Sequence, residues 1–119
     1  MTDIVRCYKD LKVWQKAIDL VARIYETARS FPRSEDFALS NQMRRAALSV
    51  PSNIAEGQAR QYRMEFLQSL HIARGSLAEL ETLLIVAERV GYLNRPSSIS
   101  LLEDVSEVGR MLQGLINAL

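Results

Sequence analysis

The residues of this chain that could do covalent chemistry are few. Ser49 and Ser76 are candidate nucleophiles, His71 is the only histidine, and Glu56 and Glu79 are available carboxylates. A hydroxyl nucleophile needs a base within hydrogen-bond reach and a third group to orient that base. The residue types are present, but neither serine stands in the strand–turn–helix setting of a nucleophile elbow. A glycine-rich phosphate loop is also missing. A two-metal carboxylate bundle needs Glu-x-x-His on each of two helices. Gln68 precedes His71 by three, which excludes that site in its usual form. Cys7 is the sole cysteine and has no Cys-x-x-Cys partner, so it reads as an inert side chain in a reducing compartment. The chain therefore reads as a non-enzyme that calls for no metal and no cofactor.

Binding chemistry is better represented. Residues 44–74 hold Arg44, Arg45, Arg60, Arg63 and Arg74 against only Glu56 and Glu65. Asn41, Arg45, Ser49, Asn53, Glu56 and Arg60 recur at helical spacing along one side of a segment whose other side is apolar, and Arg74 on the following segment could join them. A planar guanidinium can donate two parallel hydrogen bonds to a phosphate. One reading is thus a polar strip that meets RNA or DNA, or that lines the channel of an oligomer. The other is a set of ion pairs within and between subunits, since Glu56 lies four residues before Arg60 and Glu79 is at hand. Residues 75–119 reverse the balance, with three basic and six acidic side chains, and the whole chain carries only +1. A strong nucleic-acid binder usually shows a basic excess over the whole domain. Tyr8 and Trp14 could stack on bases, but Trp14 falls on an apolar helix face, where packing is expected; Tyr62 and Tyr92 sit at loop edges.

The elements that must position these residues are helices. Leu11, Trp14, Ala17, Ile18, Val21, Ile24, Tyr25 and Ala28 recur at three- and four-residue steps, predicting a helix over 12–30 with Asp10 as N-cap, ended by Phe31-Pro32. A second helix is expected to start near Ser34-Glu35-Asp36, to carry Leu39, Met43, Ala46, Ala47, Val50 and Ile54 inward, and to end at Gly57. Pro51 interrupts it, but the stripe continues in phase, so one kinked helix is expected, with Ser49 and Ser52 able to satisfy the freed carbonyls. The third helix is expected over 62–90, with Phe66, Leu70, Ala73, Leu77, Leu80, Leu84 and Ala87 inward and Gly91 as its stop. Gly75 lies in its middle, among Ala73, Ser76 and Ala78, a narrow patch that would let another helix approach. A fourth, capped by Ser97 or Ser98, should span about 98–118, with Leu101 or Leu102, Val105, Val108, Leu112, Leu115 and Leu119 inward.

No segment alternates with period two over a strand's length. Short loops make neighbouring helices antiparallel, so the expected fold is all-α: one domain over 1–119, an up-down-up-down four-helix bundle with a proline-kinked second helix. Ile72, Leu83, Ile85, Val86, Met111 and Ile116 lie outside the main stripes, more apolar surface than a monomer hides, which predicts a homo-oligomer. Met1–Asp10 has no apolar run of a signal peptide, and no stretch is long enough to span a membrane, so the expected location is cytoplasmic, with no membrane partner.

Three stretches carry a resemblance over nearly the whole chain. They are Tyr8-Lys-Asp-Leu-Lys-Val-Trp14-Gln-Lys-Ala17 with Phe31-Pro32 beyond it; Gln42-Met-Arg44-Arg45-Ala-Ala-Leu-Ser49-Val-Pro51-Ser-Asn53-Ile-Ala-Glu56-Gly57; and Ala73-Arg74-Gly75-Ser76-Leu77-Ala-Glu79-Leu. The chain resembles the small four-helix bundle proteins encoded in intervening sequences of bacterial large-subunit ribosomal RNA genes, which are related to accessory proteins of diversity-generating retroelements. The resemblance implies a homopentameric ring, no enzymatic activity, and, for some relatives, nucleic-acid binding alongside a reverse transcriptase. The near-neutral charge departs from the retroelement relatives, which are basic.

Overall fold

The computed structural model describes residues 7–119. Most of the polar lead-in read at Met1–Asp10 lies outside the described residues. Four helices follow: α1 (Lys12–Arg29), α2 (Leu39–Ala59), α3 (Arg63–Arg89) and α4 (Arg95–Ala118), with short 3-10 turns at Tyr8–Asp10 and Arg33–Glu35. Among the described residues there is no strand. At 1.5 Å per residue the 27 residues of α3 span about 40 Å, which sets the long dimension of a 50 × 25 × 19 Å body. The radius of gyration, 15.0 Å, exceeds the roughly 13.5 Å of a round protein this size; the bundle is a rod with long sides.

Each helix packs on its neighbours in the order α1–α2–α3–α4–α1. Pairs across the seams fix the directions. Gly57 meets Ser69, and Ser49 meets Ser76, between α2 and α3. Arg74 meets Gln113, and Glu88 meets Arg95, between α3 and α4. Lys16 meets Glu107, and Arg23 meets Asp104, between α1 and α4. In every case residue numbers rise on one helix as they fall on the other, so successive helices run in opposite directions.

The core is one contiguous cluster running from Val13 to Leu112. On α3 it takes Leu70, Ala73, Leu77, Leu80, Leu84 and Ala87, and on α2 Met43, Ala46, Ala47, Val50 and Ile54, as the periodicity predicts. On α1 the buried face is rotated. Val13, Ala17, Leu20, Ile24 and Ala28 point inward, while Ile18 and Tyr25 are exposed and Trp14 and Val21 half-buried.

The helix ends explain several departures from expectation. α1 starts after Leu11 rather than at an Asp10 cap; the Asp10 carboxylate accepts from the Cys7 amide at 3.4 Å instead. The Ser34-Glu35-Asp36 stretch forms a 3-10 turn, not the first turn of α2. Glu35 still serves that helix, accepting the Leu39 amide at 3.3 Å through Oε1 and the Tyr92 hydroxyl at 2.8 Å through Oε2. That hydrogen bond raises the Tyr92 phenol above its ordinary pKa. α2 runs unbroken through Pro51 and past Gly57 to Ala59, and it stops where Gln61 turns left-handed at φ +67. A side chain in that conformation costs about 1 kcal/mol or more. The end of α3 is as the glycine predicts. Gly91 has φ +89, the Tyr92 amide returns to the Ala87 carbonyl and the Gly91 amide to Glu88, the paired bonds of a Schellman motif. α4 begins three residues early, because Asn94 rather than a serine accepts the Ser97 amide at 2.9 Å, with Pro96 in the first turn.

Candidate interaction surfaces

The side between α2 and α3 collects most of the polar motif. Here Gly57 lets the backbones approach: a Cβ on it would lie 2.5 Å from Ser69 Cβ and 3.1 Å from the Phe66 ring. Farther along, Ser49 and Ser76 hydroxyls lie 2.7 Å apart, and Asn53 Nδ2 donates to the Ser49 carbonyl at 2.8 Å and to its Oγ at 3.0 Å. The Ser49 hydroxyl is thus spent on the seam, not on a carbonyl freed by Pro51. Above this bridge opens a cleft of ≈ 470 Å³ lined by Gln42, Arg45, Ser49, Ser76 and Glu79. Below it lies a smaller one, ≈ 210 Å³, where Arg60 reaches Glu56 at 3.3 Å and Glu65 at 3.5 Å. Among the described residues neither Arg45 nor Glu79 has an ion-pair partner within its own chain. The groove offers one free charge of each sign, two hydroxyls and an amide, which is recognition chemistry.

Hydrolytic chemistry is not assembled there. His71 is exposed and five residues before Ser76, about 140° round the helix, so the serine pair has no imidazole beside it. Among the described residues no group of three His, Cys, Asp or Glu side chains comes together to hold a metal ion, and no helix is long and apolar enough to cross a membrane.

The five arginines divide among three sides. Neighbouring positions on a helix diverge by about 100°, so Arg44 and Arg45 face opposite flanks of α2. Arg44 lies 5.9 Å over the Tyr25 ring on the α1 side and donates to the Asp36 carbonyl at 3.1 Å. Arg45 and Arg60 are in the α2–α3 groove with Ser49, Asn53, Glu56, Ser76 and Glu79. Arg74 turns to α4 and donates to Gln113 at 2.6 Å; Arg63 caps the chain end by donating to the Leu119 carbonyl. Pro51 is buried, and Gly75 is exposed with nothing of its own chain within 4 Å of where a Cβ would stand.

One further surface escaped the sequence reading, and a second was read only in part, at Ile85. The α1–α2 flank exposes Ile18 (41%), Tyr25 (37%) and Leu48 (41%) beside half-buried Trp14 and Val21. The signal was there: positions 13, 17, 20, 24, 28 and positions 14, 18, 21, 25 are two apolar stripes side by side, and only one can face the core. Ile85 is exposed on α3, and on α4 itself a cleft of ≈ 610 Å³ is lined by Ile99 and Leu102 among Glu103, Asp104, Glu107 and Arg110. The α1–α4 side differs. Lys16 reaches Glu107 at 3.1 Å, and Arg23 is bonded to Asp104 and to Ser100 Oγ. The hydrogen bond it donates to Glu107, then that carboxylate's charge, raises the Lys16 ammonium above its ordinary pKa.

Comparison with known proteins agrees with this architecture. The model of the 23S rRNA-intervening sequence protein family matches residues 9–114. A crystal structure of a protein of unknown function from the S23 ribosomal protein family of Bacteroides thetaiotaomicron VPI-5482 superposes with a TM-score of 0.82 at 27% identity, covering 88% of this chain and 95% of that one. No curated protein matches. With nearly every residue from the second 3-10 turn's upstream helix to the end of α4 inside the match, the chain belongs to the 23S rRNA-intervening sequence protein family.

Proposed function

We propose that this protein is a non-enzymatic module that assembles with copies of itself and presents the α2–α3 groove to a macromolecular partner. The observation that carries the proposal is the exposed apolar surface on the long sides of the bundle: Ile18, Leu48, Ile72, Ile85, Val86 and Ile99 are all 41–50% exposed. Large apolar side chains left this exposed are a feature of interaction surfaces in soluble proteins. The five-copy ring implied by the family resemblance is one form such an assembly would take. Trp14, the only tryptophan, reports on it. Its emission should shift to longer wavelength on dilution as the α1–α2 flank becomes wet. Emission that is constant from high micromolar to nanomolar concentration, in a sample whose mass is that of one chain, would remove the self-association.

A second reading, a nucleic-acid-binding accessory protein, is supported by the arginine excess over residues 44–74 and by Arg45 and Arg60 lying in one groove. Fluorescence anisotropy of a labelled single-stranded RNA across a salt series tests it. Phosphate contacts give a log–log slope of about −0.7 per contact. Binding that steepens with falling salt and weakens in Arg45→Ala supports the second reading. Absence of binding at low salt retires it and leaves a protein partner or a purely structural ring.

A further inference from the structure

Gly109 stands inside α4, where glycine is among the poorest helix formers. Its backbone does not require glycine, since Gly91 is the only glycine with a positive φ among the described residues. Its own chain does not crowd it either. A Cβ there would rest 3.4 Å from the flexible tip of Leu77, at the edge of ordinary contact, against 2.5 Å from Ser69 Cβ at Gly57. What the missing side chain does is keep open a cleft of ≈ 360 Å³ on the α3–α4 seam. Leu77 and Val105, both largely buried, line it together with Ala78 and Gly109. The cleft draws on both helices and is separate from the polar α2–α3 groove, and its size is that of a small-ligand site.

Arg74 and Arg110 line the same cleft. Arg74 is held in place: it donates to Gln113 Oε1 at 2.6 Å, and Gln113 in turn donates to Asn117 Oδ1 at 2.9 Å. A guanidinium has five N–H donors, so most of those on Arg74 stay free. Arg110 has no ion-pair partner among the described residues. Glu81 is the only carboxylate among the described residues that line the cleft. It stands two turns from Arg74, about 10.5 Å along the helix. The cleft therefore has a cationic end, an apolar middle and a single carboxylate at its far end.

We propose that this cleft binds a small amphipathic carboxylate, with its head on Arg74 and Arg110 and its apolar body along Leu77, Ala78 and Gly109. The proposal goes beyond the interaction reading above and does not rest on it, because every group belongs to one chain. Guanidinium groups hold a carboxylate by charge-assisted N–H donors. The apolar lining favours a body that leaves water on binding. Glu81 selects the class of anion. A nucleic-acid strand brings a further phosphate at each step and would set one against this carboxylate, whereas an anion with a single head does not.

Saturation-transfer NMR on the full chain, with sodium hexanoate as the probe, tests this. Hexanoate should bind saturably and about tenfold tighter than either of two controls. Acetate keeps the head and lacks the body; hexanol keeps the body and lacks the charge. Arg110→Gln should weaken hexanoate about tenfold and leave hexanol unchanged. Gly109→Leu, which fills the cleft, should remove the binding of both, with helicity checked by circular dichroism. Should that variant lose helicity, Ala78→Leu at an exposed position of α3 fills the cleft from the other side with the same expected loss. Hexanoate that binds no tighter than hexanol, that is unaffected by Arg110→Gln or by the filling variant, or that shows no saturable transfer overturns the proposal. A chain that runs at the mass of one copy removes the self-association and leaves this result intact.

Discussion

Between α2 and α3 the backbones approach until a methyl group on Gly57 would sit 2.5 Å from Ser69 Cβ, whereas between α1 and α4 the gap is spanned by long side chains, Lys16 to Glu107 and Arg23 to Asp104. The first seam is set by small residues and a hydroxyl pair and tolerates no added atoms. The second is set by half-exposed charges that bend and exchange with water. Exposed ion pairs of this kind are worth about 0–1 kcal/mol, while overfilling a packed seam costs about 1–3 kcal/mol. The bundle's register is therefore fixed at α2–α3, the same side that carries the groove proposed to meet a partner.

Gly57→Ala is the substitution that should break this contrast most visibly. Alanine gains about 1 kcal/mol of helix propensity over glycine. Here the new methyl meets Ser69 Cβ and a ring carbon rather than a flexible tip, so the overlap prevails and urea denaturation should show a net loss of about 1–2 kcal/mol. Ser69→Gly in the same chain should return part of it. An unchanged midpoint for Gly57→Ala would show that the seam is looser than described.

Next in size is the hydroxyl pair. Ser49→Ala or Ser76→Ala alone leaves a partly buried hydroxyl without its partner, an expected loss of about 1 kcal/mol. The double substitution should cost less than the sum of the two, which a double-mutant cycle reads directly. Additive losses would mean that the two hydroxyls do not act on one another.

Gly75→Ala sharpens the comparison from the other direction. Nothing in its own chain stands within 4 Å, so alanine should stabilise an isolated chain by up to about 1 kcal/mol. Thermal denaturation at a concentration where the chain runs at the mass of one copy measures that gain. A loss there would put an unseen contact of the same chain against Gly75. The smallest effect belongs to the α1–α4 seam. Arg23→Ala should cost about 0–1 kcal/mol and less in high salt; a loss as large as that of Gly57→Ala would erase the distinction between the seams.

Much of this was legible in the residues. The four helices, the core stripes of α2 and α3, and the Gly91 stop follow from periodicity and one turn residue, because those signals are local. Gly57 reads as a stop for the same reason: a glycine just past the last apolar positions of a stripe looks like an end. Its real role depends on Ser69 and Phe66 twelve and nine residues away across a turn, which no local pattern shows. The rotation of α1 has a related cause. Its two apolar stripes are adjacent, and only the packing of α2 and α4 decides which one is buried. The arginines illustrate the limit for the site. Arg45, Ser49, Asn53, Glu56 and Arg60 share a face by helical spacing alone, but Arg74 stands on the following helix, where spacing does not say which neighbour it faces, and its hydrogen bond to Gln113 takes it to the α4 side.

The account rests on the apolar flanks being covered by another copy. Size-exclusion chromatography with light scattering, at tens of micromolar of the unsubstituted chain, weighs that directly. The mass should be a multiple of 13.5 kDa, falling toward a single chain when an exposed apolar residue of the α1–α2 flank is replaced by a charge, as in Ile18→Glu. A unsubstituted chain that elutes at 13.5 kDa at that concentration would contradict it, and the exposed flanks would then have to meet a different protein or nothing at all.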